Sequence, residues 1–292
     1  ARFEGWSADD YVREWGDVNV LAAYAPEVTY QRGRQVADEP GAPRRLAMPH
    51  REWMRLGRFF EEQRAASRRE PVVEHIALQQ SPSKDFREFG LPQLPPRLGP
   101  FVEPAMLQRN LWLAVPPKVS VLHYDWQDSV LLQLQGRKRF TLVDPARLPS
   151  VYPCVQQVEQ LRRTAAGVFE RILGDREVDN FCLVNVTHPD LSRHPRFADA
   201  RVMTVDVPAG SALLLPAYWY HQVESYADGE GEPNLAVNYW FQGHSLTTRL
   251  YRTLRENLFI NCTRAAELGD DVCRDSVGGA ARSELQRPEV ID

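Results

Sequence analysis

At about residue 110 the period of this chain changes. Beyond that point short runs rich in β-branched and aromatic residues follow one another, at 119–123, 130–134, 139–143, 202–207, 212–215 and 235–241. Gly136 separates two of these runs, and Pro208, Gly210 and Pro216 bracket another. Short strands punctuated by turn residues close into a sandwich or barrel, whereas a doubly wound sheet would alternate each strand with a helix of roughly 10–15 residues. With 292 residues, 43% of them hydrophobic, the chain can bury a large core around such strands.

The first third reads instead as helices and loops. Ser7-Ala8-Asp9-Asp10 is a cap for a short helix ending at Gly16, and Pro40, Gly41 and Pro43 mark a loop. Trp53, Met54, Leu56, Phe59 and Phe60 fall at helical spacing within residues 50–67, and a basic stretch with Arg64, Arg68 and Arg69 follows. This predicts a surface helix. Residues 155–173 predict an amphipathic helix inserted among the strands, and residues 246–268 another, with Leu250, Leu254, Leu258 and Ala265 on or near one face. The expected organisation is an N-terminal helical and loop part (1–109), a β core (110–245) with a helical insertion at about 155–174, and a C-terminal helix and tail (246–292).

The charge sum is 35 − 39 = −4 and the pI is near 6.0, so no overall positive excess advertises nucleic acid or an anionic membrane. No run approaches the ~18 apolar residues of a membrane span. Cys154, Cys182, Cys262 and Cys273 lack CxxC spacing and read as reduced thiols. The compartment expected from these features is the cytosol or nucleus. Only three of the 35 basic residues are lysine, namely Lys84, Lys118 and Lys138. A lysine kept in a chain that otherwise uses arginine calls for a reason.

His123-Tyr124-Asp125 stands where a strand ends, so its imidazole and carboxylate, two residues apart, are aimed at one point. His221 follows the 213–215 run in an aromatic-rich segment, Tyr218-Trp219-Tyr220-His221. Each piece alone reads as ordinary packing. Together, two histidines and one carboxylate form a facial triad that leaves open positions on Fe(II), although the same donors also serve catalytic zinc. Lys138 lies on the following run, between Arg137 and Arg139. A slim ammonium there suits the distal carboxylate of a chelated 2-oxo acid.

These residues resemble the JmjC branch of the cupin-like 2-oxoglutarate oxygenases. The marks are His123-x-Asp125, Gly136-x-Lys138, the segment from Asn185 to Arg201, Pro208-Ala-Gly through Trp219-x-His221, and Val237-Asn238-Tyr-Trp-Phe241. The resemblance implies a double-stranded β-helix (jelly-roll) core with flanking α-helices, and Fe(II) held by His123, Asp125 and His221 as the catalytic centre. It implies that Lys138 and Ser120 hold 2-oxoglutarate, that Asn238 lies beside it, and that O2 is the second cosubstrate. Ser129 stands at a cosubstrate-site position where relatives often carry Asn, and Ile76 and Ala77 occupy a strand where relatives carry Tyr.

Within the branch the chain is similar to lysyl hydroxylases that act on GTP-binding proteins, and next to tRNA wybutosine hydroxylases. The first similarity implies a translation-associated GTP-binding protein as partner, with an acidic entrance for the lysyl chain drawn from Asp128, Glu224, Asp228, Glu230 and Glu232. It also implies a homodimer that uses the C-terminal helix. The alternatives are tRNA modification, with Arg64, Arg68, Arg69, Arg162 and Arg163 as a basic stripe, and a non-catalytic scaffold.

Overall fold

The computed structural model describes residues 3–26, 35–36, 45–68, 74–82, 89–91, 106–115, 118–153, 156–182, 184–242, 250 and 253. Two α-helices occur among them, α1 (Ala8–Trp15) and α2 (Leu56–Ser67). The strands are β1 (Asn19–Pro26), β2 (Gln35–Val36), β3 (Arg45–Met48), β4 (His50–Arg55), β5 (Glu74–Pro82), β6 (Met106–Ala114), β7 (Lys118–His123), β8 (Asp128–Gln135) and β9 (Arg137–Val143). They continue with β10 (Gln156–Arg163), β11 (Phe169–Val178), β12 (Val202–Pro208), β13 (Ala212–Leu215), β14 (Tyr220–Tyr226) and β15 (Asn234–Phe241).

A seven-stranded sheet ordered β13-β8-β15-β6-β5-β1-β4 faces a four-stranded sheet ordered β12-β9-β14-β7, and every pairing in both is antiparallel. The result is the jelly roll. Alternation along β8 shows how the layers are filled. Val130 and Leu132 point to a core shared with Tyr11, Trp15, Phe59 and Phe60 of the two helices. Leu131 points the other way, to Phe140, Leu142 and Val207 of the small sheet. Gly136 makes the tight β8–β9 turn at φ 71°, with Asp228 accepting its N–H at 3.0 Å.

The capping box at Ser7 forms as its sequence indicates, with Asp10 accepting the Ser7 backbone N–H at 2.8 Å. The six β-rich runs are all strands. Three expectations are corrected. The predicted helical insertion at 155–174 is a β-hairpin, β10 and β11 joined through Gly167 at φ 76°, with β10 also pairing parallel to β3. Its helix-favouring Gln, Glu, Leu and Arg side chains mislead because tertiary pairing overrides propensity. Glu159, buried in β10, is held there by Arg45 at 2.7 Å and Arg171 at 3.2 Å.

The helix expected from residue 50 begins only at Leu56. Residues 50–55 form edge strand β4, which leaves Trp53 exposed and Met54 buried. The helical and loop reading of the first third also gives way, because β1, β4 and β5 extend the large sheet and the 109/110 boundary falls inside β6. β1 hides its identity because Ala22, Ala23 and Tyr24 are buried in succession and erase the alternation. The C-terminal helix expected at 246–268 lies outside the described residues apart from Leu250 and Thr253, both helical.

Candidate metal centre and adjoining pocket

Two strands of the small sheet deliver the histidines. β14 and β7 pair with His221 opposite His123 and Val223 opposite Ser120, so three steps along β7 match two along β14. This bulge reverses the alternation of β7. Lys118 and Ser120 face the space between the sheets, and so does His123, while Leu122 turns to a separate core with Tyr124 and Tyr220. Without the extra residue His123 would point out of the site.

Both imidazoles are oriented identically. His123 Nδ1 lies 2.6 Å from the Val121 carbonyl oxygen, and His221 Nδ1 lies 2.9 Å from that of Trp219. Each Nδ1–H donates to its carbonyl, which leaves the Nε2 lone pair free to ligate. The two Nε2 atoms stand 3.9 and 3.8 Å from the Asp125 carboxylate oxygens, and the ring centroids are 4.4 Å apart. Phe181 stacks on His123 at 5.3 Å and shields its outer face.

Among the described residues, His123, Asp125 and His221 are a group whose ligand atoms all lie within 4.8 Å of one another. Burial pushes the Asp125 carboxyl up, and the neighbouring His221 opposes that rise. A divalent ion answers this arrangement, since it needs two neutral imidazoles and one carboxylate and would offset the burial of the negative charge. The donor set therefore fits a metal of the Fe(II) or zinc class.

The triad opens into a pocket between the sheets with about 750 Å³ of empty space, its mouth included. Lys138, Ser120, Ser129 and Asn238, each singled out from sequence, all line it. Lys138 is buried and donates to Ser225 Oγ at 2.7 Å. Burial holds its ammonium far below the usual lysine range, at about 7. Arg137 and Arg139 alternate to the opposite face, where both pair with Asp206 and Arg137 lies 4.2 Å over the Tyr226 ring. Asn238 Oδ1 accepts from Trp112 Nε1 at 3.0 Å, which directs the amide NH2 elsewhere.

Sequence reading missed Ser225, Trp112 and Lys118 as pocket residues. The signal for Ser225 was period two counted back to His221, unused because β14 was not recognised as a strand. Of the acids expected at an entrance, Asp128 is buried and accepts the Ala217 N–H at 2.7 Å, and Asp228 caps the Gly136 turn. Both serve the fold. Glu224 accepts from the Tyr226 hydroxyl at 2.5 Å.

Comparison with known proteins places these features in a family. The chain is 29% identical over 140 residues to Lysine-specific demethylase JMJ31 of Arabidopsis thaliana, covering 47% of this chain and 21% of that one. It is 27% identical over 134 residues to the human Bifunctional peptidase and (3S)-lysyl hydroxylase JMJD7, covering 45% and 40%. It is 30% identical over 137 residues to HSPB1-associated protein 1 of Rattus norvegicus, covering 46% and 24%. The matched regions thus span between about a fifth and two-fifths of these relatives' lengths. The profile of the cupin-like domain matches residues 3–246, across both sheets, the triad and the pocket, and the chain therefore belongs to the cupin-like domain family.

Proposed function

We propose that this protein is an Fe(II)- and 2-oxoglutarate-dependent oxygenase that hydroxylates a protein side chain, with lysine the favoured substrate. The observation that carries the reading is the pocket itself, with three convergent metal donors in one part of its wall and a buried lysine in another. His123, Asp125 and His221 would hold Fe(II), which would supply the oxidative chemistry that couples hydroxylation of a substrate C–H bond to conversion of 2-oxoglutarate and O2 into succinate and CO2.

The chain's own residues do the rest. The Val121 and Trp219 carbonyls fix the tautomer and aim of the two imidazoles. Lys138, held by Ser225, pairs with the distal carboxylate of the cosubstrate, and that anion restores the ammonium charge that burial disfavours. Ser120, Ser129 and Asn238 offer further hydrogen bonds along the same wall. The apolar side chains of Leu131, Phe140 and Leu215 keep water from the bound cosubstrate.

A protein substrate is favoured over tRNA because three of the five arginines a basic stripe would need are already engaged. Arg64 pairs with Asp9, Arg162 with Glu170 and Arg163 with Glu74. The names of the JMJ31 and JMJD7 relatives point the same way. A translation-associated GTP-binding protein as target and a homodimer follow from the resemblance, and a cytosolic or nuclear location from hydropathy and cysteine spacing; all three belong to the proposal. Among the described residues no helix is long and apolar enough to cross a membrane.

The test is to incubate the protein with Fe(II), 2-oxoglutarate and a cell lysate, and to map added oxygen by mass spectrometry beside succinate release. Lysyl products that disappear with His221→Ala, together with loss of bound iron in that variant, support the reading. Modified tRNA with no protein product would replace it with the tRNA alternative. A His221→Ala protein that retains full iron content would refute the metal assignment.

A further inference from the structure

The rarity of lysine in this chain has a structural counterpart. Of three lysines against 35 − 3 = 32 arginines, two stand in one cross-strand row of the small sheet. Ser225 of β14 pairs with Lys118 of β7 on one side and with Lys138 of β9 on the other. Directly paired residues project to the same face, and both lysines line the pocket. With strands about 4.8 Å apart, the two stems start about 10 Å from each other across the Ser225 hydroxyl. Arg137 and Arg139, on the outer face, show that the sheet uses arginine where space is open. In the confined face between the sheets it uses the slimmer ammonium twice.

We infer that Lys118 is a second anion-binding residue of this pocket, which with Lys138 and Ser225 selects 2-oxo acids carrying a distal carboxylate over those that end in an apolar group. The inference rests on the proposed cosubstrate and extends it to a residue for which that reading had no use. A carboxylate has two oxygens and several lone pairs, so one buried ammonium leaves acceptor capacity unfilled. Lys138 donates to Ser225 at 2.7 Å, which spends one of its three protons before any ligand arrives. Lys118, half-buried at the strand's start, stands on the opposite side of the row and lines the same pocket, where its ammonium adds positive charge and donor capacity.

The experiment measures binding rather than turnover. The full chain is loaded with Mn(II), and 2-oxoglutarate and 2-oxopentanoate, which has the same carbon chain without the second carboxylate, are titrated by calorimetry or by quenching of tryptophan emission. The expected result for Lys118→Met is a loss of about tenfold in 2-oxoglutarate affinity, smaller than for Lys138→Met because solvent screens a half-buried cation. Binding of 2-oxopentanoate should be unchanged, which also establishes that the variant is folded and holds its metal. Lys118→Arg should recover part of the loss. A Lys118→Met protein with wild-type preference for 2-oxoglutarate would overturn the inference and leave the proposed function standing. Failure of the unsubstituted protein to bind either acid would overturn both.

Discussion

Replacing Lys138 with methionine should stabilise the ligand-free protein while abolishing the 2-oxoglutarate binding proposed for it. Methionine is close to lysine in length and volume and carries no charge to bury. Burial lowers the lysine from 10.5 to about 7. At about 1.4 kcal/mol per tenfold in the proton equilibrium, holding this residue in the folded state at pH 7 costs on the order of 4 kcal/mol relative to the unfolded chain. Losing the hydrogen bond to Ser225 returns about 1 kcal/mol, so the variant should gain on the order of 3 kcal/mol.

The sign with pH follows from the depressed value. Between about 7 and 10.5 the unfolded chain binds the proton and the folded one does not, so wild-type stability rises with pH across that window. The cost is fully present below about pH 7 and falls to about 2 kcal/mol at pH 9, so the advantage of Lys138→Met should narrow to about 1 kcal/mol there. Urea or thermal melts of metal-free protein at pH 7 and pH 9 measure both quantities, with a higher midpoint expected for the variant at pH 7. A lower midpoint at pH 7, or a difference that does not shrink at pH 9, would show that burying Lys138 does not carry this cost.

Two further substitutions test the frame around the site. In Gly136→Ala, the added methyl would strike the Tyr226 carbonyl and the Asn234 side chain at a positive-φ position, so a loss of more than about 2 kcal/mol is expected from denaturant melts. In Tyr11→Phe, the buried Gln135 Oε1 loses the hydroxyl that now donates to it at 2.5 Å, while Gln135 Nε2 still donates to the Trp6 carbonyl. The expected cost is about 1–3 kcal/mol by the same assay, and a variant as stable as wild type would show that this bond adds nothing to the attachment of α1 to the sheet.

Much of this molecule is local in origin. The capping box at Ser7, the turn at Gly136 and the six short β-rich runs follow from steric and hydrogen-bonding preferences that act over a few residues. So do the closeness of His123 and Asp125, two residues apart, and the turning of Lys138 away from Arg137 and Arg139 by alternation along β9. The chemical character of a candidate metal site was therefore legible, and the structure brings each candidate residue to one pocket.

The remaining features depend on partners distant along the chain. β10 and β11 carry helix-favouring residues, and they are strands because β3, more than a hundred residues earlier, offers a parallel edge and Arg45 offers a counter-charge to Glu159. β1 lacks alternation because both of its faces are covered, one by helices that the sequence places beside it without indicating contact. The aim of His123 depends on a bulge defined only by its pairing with β14. The pairing of Lys118 with Lys138 across Ser225 exists only in the register of three strands, from residues 118, 138 and 225. Local sequence specifies which groups are available, and cross-strand register, a property of no single segment, decides which of them meet.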